Sequence, residues 1–520
     1  MAGKSSRTEN TTKNAVASMI AQVITAILQF VCRSVFIRCL GNSYLSFDGL
    51  FSNILTMLSL AELGFGEAII FCLYKPLAIN DDRKIKALMD YYAKIYRIVA
   101  VIVLGLGLAI IPFLTYIMKD PPQVPESLCL IYILFLLNSV ASYLLVYKQS
   151  ILIADQKNYI VSSVKMVVSI ATMALQIAFL FITHNYIAYL LITIFTTLIM
   201  NIYVSIVANK KYPILKSKEE VALDKETKGE ITTNVKALMV YKVGTMLVTG
   251  VDNLLISSFI GVLSVGLYSN YSLVINKAST ILRSVITSAT GSVGNLGAMG
   301  NKEHSERIGR VMLFITFWLF GYASVGMFVL INPFIKFMAG EEYLFDMFTV
   351  LFLVVDFYLL GVNSPMNVFR NAFGLYRYGK YRPMMCALAN LVVSLLLIKP
   401  FGITGIVMGT LAARLGVTSW YEPFIVYKYG LGLKTRGYLL KFFAYLSFTL
   451  ACCGLCYFIC IPFEEYTIFS FVVKAIIVTA ITNGLIVLVF RKTEEFKYAK
   501  GMIASLFKKI FGRKNEKKVL

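Results

Sequence analysis

The chain has 520 residues, 58% of them hydrophobic and only 15% charged, with a mean hydropathy of +0.73, and these values exclude a water-soluble globular fold. A formal net charge of +22 would suggest nucleic acid in a soluble protein. In a membrane chain, lysine and arginine instead mark loops retained on the cytoplasmic side, so no nucleic-acid partner is expected.

Residues 1–13 are polar and lack a short apolar core followed by a small-residue cleavage site, so they read as a cytoplasmic N-terminal tail and not as a signal peptide. Continuous, non-alternating apolar runs then argue for helices and against a β-barrel. Spans are predicted at 14–40, 47–73, 93–118, 128–147, 159–183, 187–208 and 235–259. They continue at 267–291, 308–335, 344–369, 384–398, 403–427, 438–461 and 467–490. The fold class is all-α, a polytopic membrane protein of about fourteen transmembrane helices.

With the N-terminus inside, about 37 basic residues fall in cytoplasmic loops or tails and about 10 within spans. Lys119, Lys336 and Lys399 alone remain outside, where loops are neutral or acidic, as at Glu341-Glu342 and Glu464-Glu465. The Lys- and Glu-rich stretch 209–234 reads as a flexible cytoplasmic linker. Beyond 491, Ile503, Leu506, Phe507, Ile510 and Phe511 recur at helical spacing, opposite Lys508, Lys509, Arg513 and Lys514. That pattern predicts a basic amphipathic helix on an anionic leaflet, with membrane lipids as partners.

Residues 14–53 and 234–270 align with one three-residue gap. Each runs from Asn through a long apolar helix to Gly41 or Gly261, then to Gly49-Leu50-Phe51-Ser52-Asn53 or Gly266-Leu267-Tyr268-Ser269-Asn270. Six spans separate the two starts, an even number, which predicts a parallel repeat with the ligand between two halves.

A charge near the bilayer centre costs at least ~2.5 kcal/mol and so requires a cavity, a partner or a function. Arg33, Glu62, Asp252, Lys277, Arg283, Asp356 and Arg414 lie too deep to reach the headgroups together. Helical spacing sets Arg33 with Gln22 and Gln29, Asp252 with Lys242, Thr245 and Thr249, and Arg283 with Asn276. Polar stripes on spans 1, 7, 8, 10 and 12 predict a central cavity, and the repeat predicts that Arg33 and Asp252 are coupled across it. Four cations against three anions suit an anionic, hydroxyl-rich ligand. Asp252, Glu62 and Asp356 are the candidates for ion coupling or charge pairing.

Catalysis, metal and cofactor are not expected. The outward loops are too short for a catalytic domain, the two histidines, His184 and His304, fall in predicted loops, and no phosphate-cradling Gly-x-x-x-x-Gly-Lys-Ser/Thr motif occurs. Cys453, Cys456 and Cys460 share a face but lack His or carboxylate partners, and the nine cysteines sit almost wholly in apolar segments where disulfides do not form. Transport would draw on an ion gradient, the membrane potential or the substrate gradient.

Ala61-Glu62-Leu63-Gly64-Phe65-Gly66, followed by Tyr74-Lys75-Pro76-Leu77-Ala78, resembles the early segment of bacterial polysaccharide-exporting flippases, and Val251-Asp252-Asn253 is similar to a segment on span 7 of that family. The superfamily includes multidrug antiporters and lipid II flippases. The resemblance implies two six-helix lobes, 14–208 and 235–430, with spans 13 and 14 appended over 431–490 and a cytoplasmic tail over 491–520. It further implies a flippase that turns an undecaprenyl-diphosphate-linked oligosaccharide to the outer leaflet of a bacterial cell membrane by alternating access. Polysaccharide polymerase and glycosyltransferases would be its partners. Arg33 and Arg38 match arginines on the first helix of related lipid flippases, where the diphosphate binds. With Lys277, Arg283, Arg414, Gln29 and Asn276 they make up the expected substrate-binding set. The alternatives are a cation-coupled multidrug exporter and a lipid II flippase.

Overall fold

The computed structural model describes residues 7–62, 65–155, 157–217, 221–287, 293, 302–463 and 467–501. Contacts divide the chain into two compact units, Met1–Asn270 and Tyr271–Leu520. Among the described residues all regular structure is helical, and each of the fourteen predicted spans overlaps one or more helical segments.

In the first unit these are α1 (Arg7–Leu40), α2 (Asn42–Leu58), α3 (Phe65–Ile79), α4 (Asp82–Ile110), α5 (Leu128–Tyr143), α6 (Tyr147–Ala154), α7 (Asn158–Thr183), α8 (Tyr186–Lys211) and α9 (Lys225–Leu255). Helix α10 (Val262–Thr287) runs on into the second unit. That unit continues with α11 (Lys302–Met338), α12 (Met347–Val362), α13 (Ser364–Ala372), α14 (Arg382–Phe401), α15 (Ile403–Ala413), α16 (Ser419–Ile425), α17 (Arg436–Cys460) and α18 (Ile468–Phe490). Nine helical segments among the described residues are long and apolar enough to cross a membrane, and α5 with α6 makes a tenth, bent by 42°.

The boundaries differ from hydropathy where polar residues still favour a helix. Helix α4 starts at Asp82, well ahead of the predicted 93, because Asp81 caps it by accepting from the Lys84 N–H at 2.9 Å. Helix α9 starts at Lys225, inside the stretch read as a flexible linker, because Asp224 accepts from the Thr227 N–H at 2.8 Å. Hydropathy registers the bilayer, and a capped polar turn extends beyond it. The second span is interrupted by a 3₁₀ turn, Ser59–Glu62, between α2 and α3.

Both copies of the sequence repeat fold as a long helix, a glycine of positive φ and a second helix. Gly41 has φ 81° and Gly261 φ 142°, conformations that a Cβ disfavours. In lipid, helices associate by close packing and not by exclusion of water. The second unit accordingly stacks Phe317 on Tyr445 with ring centres 4.4 Å apart and sets Phe314 edge-on to the same tyrosine, joining α11 to α17. Residues 494–501 form a further helical stretch docked by Phe496 stacking on Trp318 at 5.5 Å, and Arg307 meets Glu494 at 2.7 Å. The predicted amphipathic face from Ile503 to Lys514, and Glu464-Glu465, lie outside the described residues.

Candidate functional site

The first unit carries an open cavity of about 580 Å³ lined by α1, α2, α5, α7 and α8. Polar groups make up much of its wall because serine and threonine recur on single helix faces, as in Lys165, Ser169, Thr172 and Gln176 on α7 and Tyr189, Thr193, Thr196 and Thr197 on α8. Several of these hydroxyls donate to carbonyls of their own helix, Thr172 to Val168 at 2.7 Å, Thr196 to Ile192 at 2.8 Å and Thr56 to Ser52 at 2.7 Å. A hydroxyl that spends its hydrogen on its own helix offers the cavity only lone pairs. Gln29 adds another acceptor: its Oε1 is buried and takes no hydrogen bond from the described residues. The wall is therefore rich in acceptors and complementary to a ligand bearing hydroxyl donors. Asp48 and Lys165 supply one charge of each sign.

Beside the cavity, α2 crosses α10. A Cβ placed on Gly49 would lie 3.1 Å from Val265 Cγ1, so the glycine permits the helices to touch. Asn42 Nδ2 donates to the Leu263 carbonyl at 3.3 Å. Arg33 on α1 donates from Nη2 to Ser269 Oγ at 2.5 Å, from Nε to Asn270 Oδ1 at 3.0 Å and from Nη1 to Asp48 Oδ2 at 3.2 Å. Lys119, past the end of α4, completes this clasp. Its N–H donates to the Ser257 carbonyl and its own carbonyl accepts from Val262, both at 3.2 Å, while its Nζ reaches the Phe259 carbonyl at 3.2 Å. The two copies of the repeat thus meet each other, Gly49 against Val265 and Arg33 against Ser269 and Asn270.

Residues 11–293 match the model of a family described as polysaccharide biosynthesis protein, a region that runs from near the start of α1 through α10 and contains the cavity and the clasp. The chain belongs to that family. No curated protein matches it in sequence. Among solved structures, the lipid II flippase MurJ in an inward closed conformation is similar over 92% of this chain and 99% of its own, with 14% identity and a TM-score of 0.67. An inward-facing multidrug resistance MATE family transporter of the MOP superfamily matches 78% of this chain and 98% of its own at 12% identity and a TM-score of 0.61. A mutant of the Vibrio cholerae MATE transporter VcmN matches 81% and 98% at 15% identity and a TM-score of 0.58. At such identities the likeness is one of fold.

In this member of the polysaccharide biosynthesis family the sequence-derived site residues fall in both units. Of the expected substrate-binding set only Gln29 lines the cavity, which is a different one from that predicted between spans 1, 7, 8, 10 and 12. Arg33 takes Asp48, not Asp252, as its carboxylate, because the turn at Gly41 folds α2 back along α1 and brings positions 33 and 48 face to face. Asp252 is buried and accepts from the Tyr268 hydroxyl at 3.4 Å. Arg38 is exposed in the last turn of α1, where a cation complements the helix dipole. Arg414 binds Asp356 through two hydrogen bonds of 2.6 and 3.1 Å, so these two deep charges answer each other. On α10, Asn276 is exposed, and Lys277 and Arg283 are half-buried.

Glu62 ends the 3₁₀ turn and accepts from the Tyr96 hydroxyl; Tyr92 donates to Tyr96 at 3.0 Å and Ser150 to Tyr92 at 3.4 Å. This row of hydroxyls joins Glu62 to α4 and α6. Sequence reasoning missed Asp48, which stands one residue inside a predicted span. It also missed the polar faces of α7 and α8, though their spacing was legible.

Proposed function

We propose that the protein is a flippase for undecaprenyl-diphosphate-linked oligosaccharide repeat units, moving them from the cytoplasmic to the outer leaflet of a bacterial cell membrane for surface polysaccharide biosynthesis. The observation that carries this reading is the acceptor-lined cavity with the unpartnered Gln29 Oε1, inside the segment that matches the polysaccharide biosynthesis family. Sugar hydroxyls are donors as well as acceptors, so such a wall favours a glycan over a cationic drug, for which the cavity's one carboxylate, Asp48, is already engaged by Arg33.

Both termini face the cytoplasm in this reading, by the distribution of lysine and arginine, and the clasp around Lys119 lies at the outer surface. A closed outer clasp corresponds to the inward-facing stage of alternating access. The two lobes are 14–208 and 235–430, and the polymerase and glycosyltransferases of the same polysaccharide are its partners.

The test is deletion of the gene followed by analysis of the lipid-linked intermediates. Accumulation of an undecaprenyl-diphosphate oligosaccharide of one repeat unit, with loss of surface polysaccharide, is the expected result. Unchanged polysaccharide together with accumulated lipid II would redirect the assignment to a lipid II flippase.

A further inference from the structure

Asp48 belongs to two structures at once. Its carboxylate lines the cavity, with its side chain 30% exposed, and it neutralises Arg33, whose side chain is 13% exposed and whose other donors hold Ser269 and Asn270 of the second repeat. We propose that Asp48 is a proton-binding site whose occupancy opens the outer clasp, so that protonation from the cavity and separation of the two repeat motifs are one linked equilibrium. The assignment rests on the orientation proposed above and names the coupling residue for that transport reading.

The physical basis is the cost of a buried unpaired cation. With Asp48 charged, Arg33 has a carboxylate and two neutral oxygens as acceptors, and the clasp is closed. A proton on Asp48 cancels that charge. Arg33 is then a largely buried guanidinium facing only neutral partners, a state that low-dielectric surroundings penalise strongly. Arg33 lowers that penalty by moving toward water, and α1 moves with it. The bonds to Ser269 and Asn270 then break.

The titratable and charged groups around Asp48 leave it as the switch. From α1 come Arg33 and Cys32, the latter donating to Gln176 Oε1 at 3.8 Å. From α8 come the rings of Tyr186 and Tyr189, which stack on each other at 6.1 Å and are phenols un-ionised at physiological pH. On its own helix, Tyr44 lies one turn away and is engaged by Glu126 at 2.5 Å. From α10 come Ser269 and Asn270, which do not titrate. Lys165 shares the cavity and brings the other charge in its wall. Among the described residues, the one carboxylate that meets both cavity and clasp is Asp48.

The experiment is a disulfide across the clasp. In full-length protein whose native cysteines are replaced, Gly49→Cys with Val265→Cys places two thiols where a Cβ at 49 comes 3.1 Å from the Val265 side chain. Cross-linking is read in substrate-free liposomes over a range of pH, with quenching after a short oxidation. High yield at neutral pH and a fall on the order of fivefold or more on acidification is expected, the lower range of an allosteric coupling. Asp48→Asn should give the low yield at every pH, and Asp48→Glu should restore the dependence. A pH-independent yield with Asp48 present, or an Asp48→Asn protein that cross-links like its parent, overturns the proposal. Should Asp48→Asn fail to fold, Ser269→Ala decides: it removes one clasp bond and keeps the switch, so its yield should be lower yet still fall on acidification, and loss of that fall overturns the proposal. Since no substrate is present, failure here leaves the flippase assignment standing, while intact cross-linking with normal polysaccharide in the deletion strain refutes that assignment alone.

Discussion

At the scale of single residues, charge in this protein is paired close to home. Glu422 is fully buried and meets Arg370 Nη1 at 3.0 Å and Arg382 Nε at 2.8 Å, so two arginines that fall between the predicted spans 344–369 and 384–398 are part of the interior. Asp155 and Lys157 form a similar lock outside the membrane, tying the turn after α6 to Tyr212 at the end of α8; Lys157 Nζ lies 3.3 Å from the Tyr212 hydroxyl. Burial alone would raise the Asp155 pKa, but hydrogen bonds from Lys157 and Tyr212 outweigh it and hold the carboxyl below its ordinary value. The stabilisation is therefore present above the unfolded carboxylate pKa and is lost as pH falls through the lowered folded one. Thermal melts of wild type and Asp155→Asn should differ by a constant amount at neutral pH and converge in acid. A gap that widens in acid would contradict this sign.

At the scale of elements, glycine sets where helices touch. Helices α14 and α15 form a hairpin in which a Cβ on Gly405 would lie 2.2 Å from the Leu397 carbonyl oxygen, and one on Gly409 would lie 2.0 Å from Ser394 Oγ and 2.8 Å from the Ser394 nitrogen. Four residues apart, these glycines occupy one face, the spacing by which membrane helices bring their backbones together. Backbone cannot rotate out of the way as a side chain does. Gly405→Ala should therefore destabilise the protein by about 1–3 kcal/mol through overpacking, read as a lowered melting temperature in detergent. Gly454→Ala on α17, where a Cβ meets nothing within 4 Å, is the control and should melt like wild type.

At the scale of the whole molecule, the cavity and the clasp lie on the same few helices, and ligand space can be removed without touching the charges. Thr56 lines the cavity, is exposed, and its hydroxyl donates to its own helix at Ser52. Thr56→Trp should fill part of the roughly 580 Å³ and abolish surface polysaccharide, with the protein still inserted at its normal level. Full export by this variant would place the translocated glycan elsewhere.

Much of the architecture was open to reading from the chain alone. Bilayer thickness imposes a run of about twenty apolar residues on every crossing helix, and that constraint is local, so the spans and the Gly41 and Gly261 corners could be read along the sequence. The partners of the polar groups could not. Arg33 with Asp48, Arg414 with Asp356, and Glu422 with two arginines are pairings across helices, chosen by which faces the packing brings together. Hydropathy places a residue at a depth in the membrane but not at an angle around the bundle. An ion pair depends on both, because its energy is decided within a few ångströms.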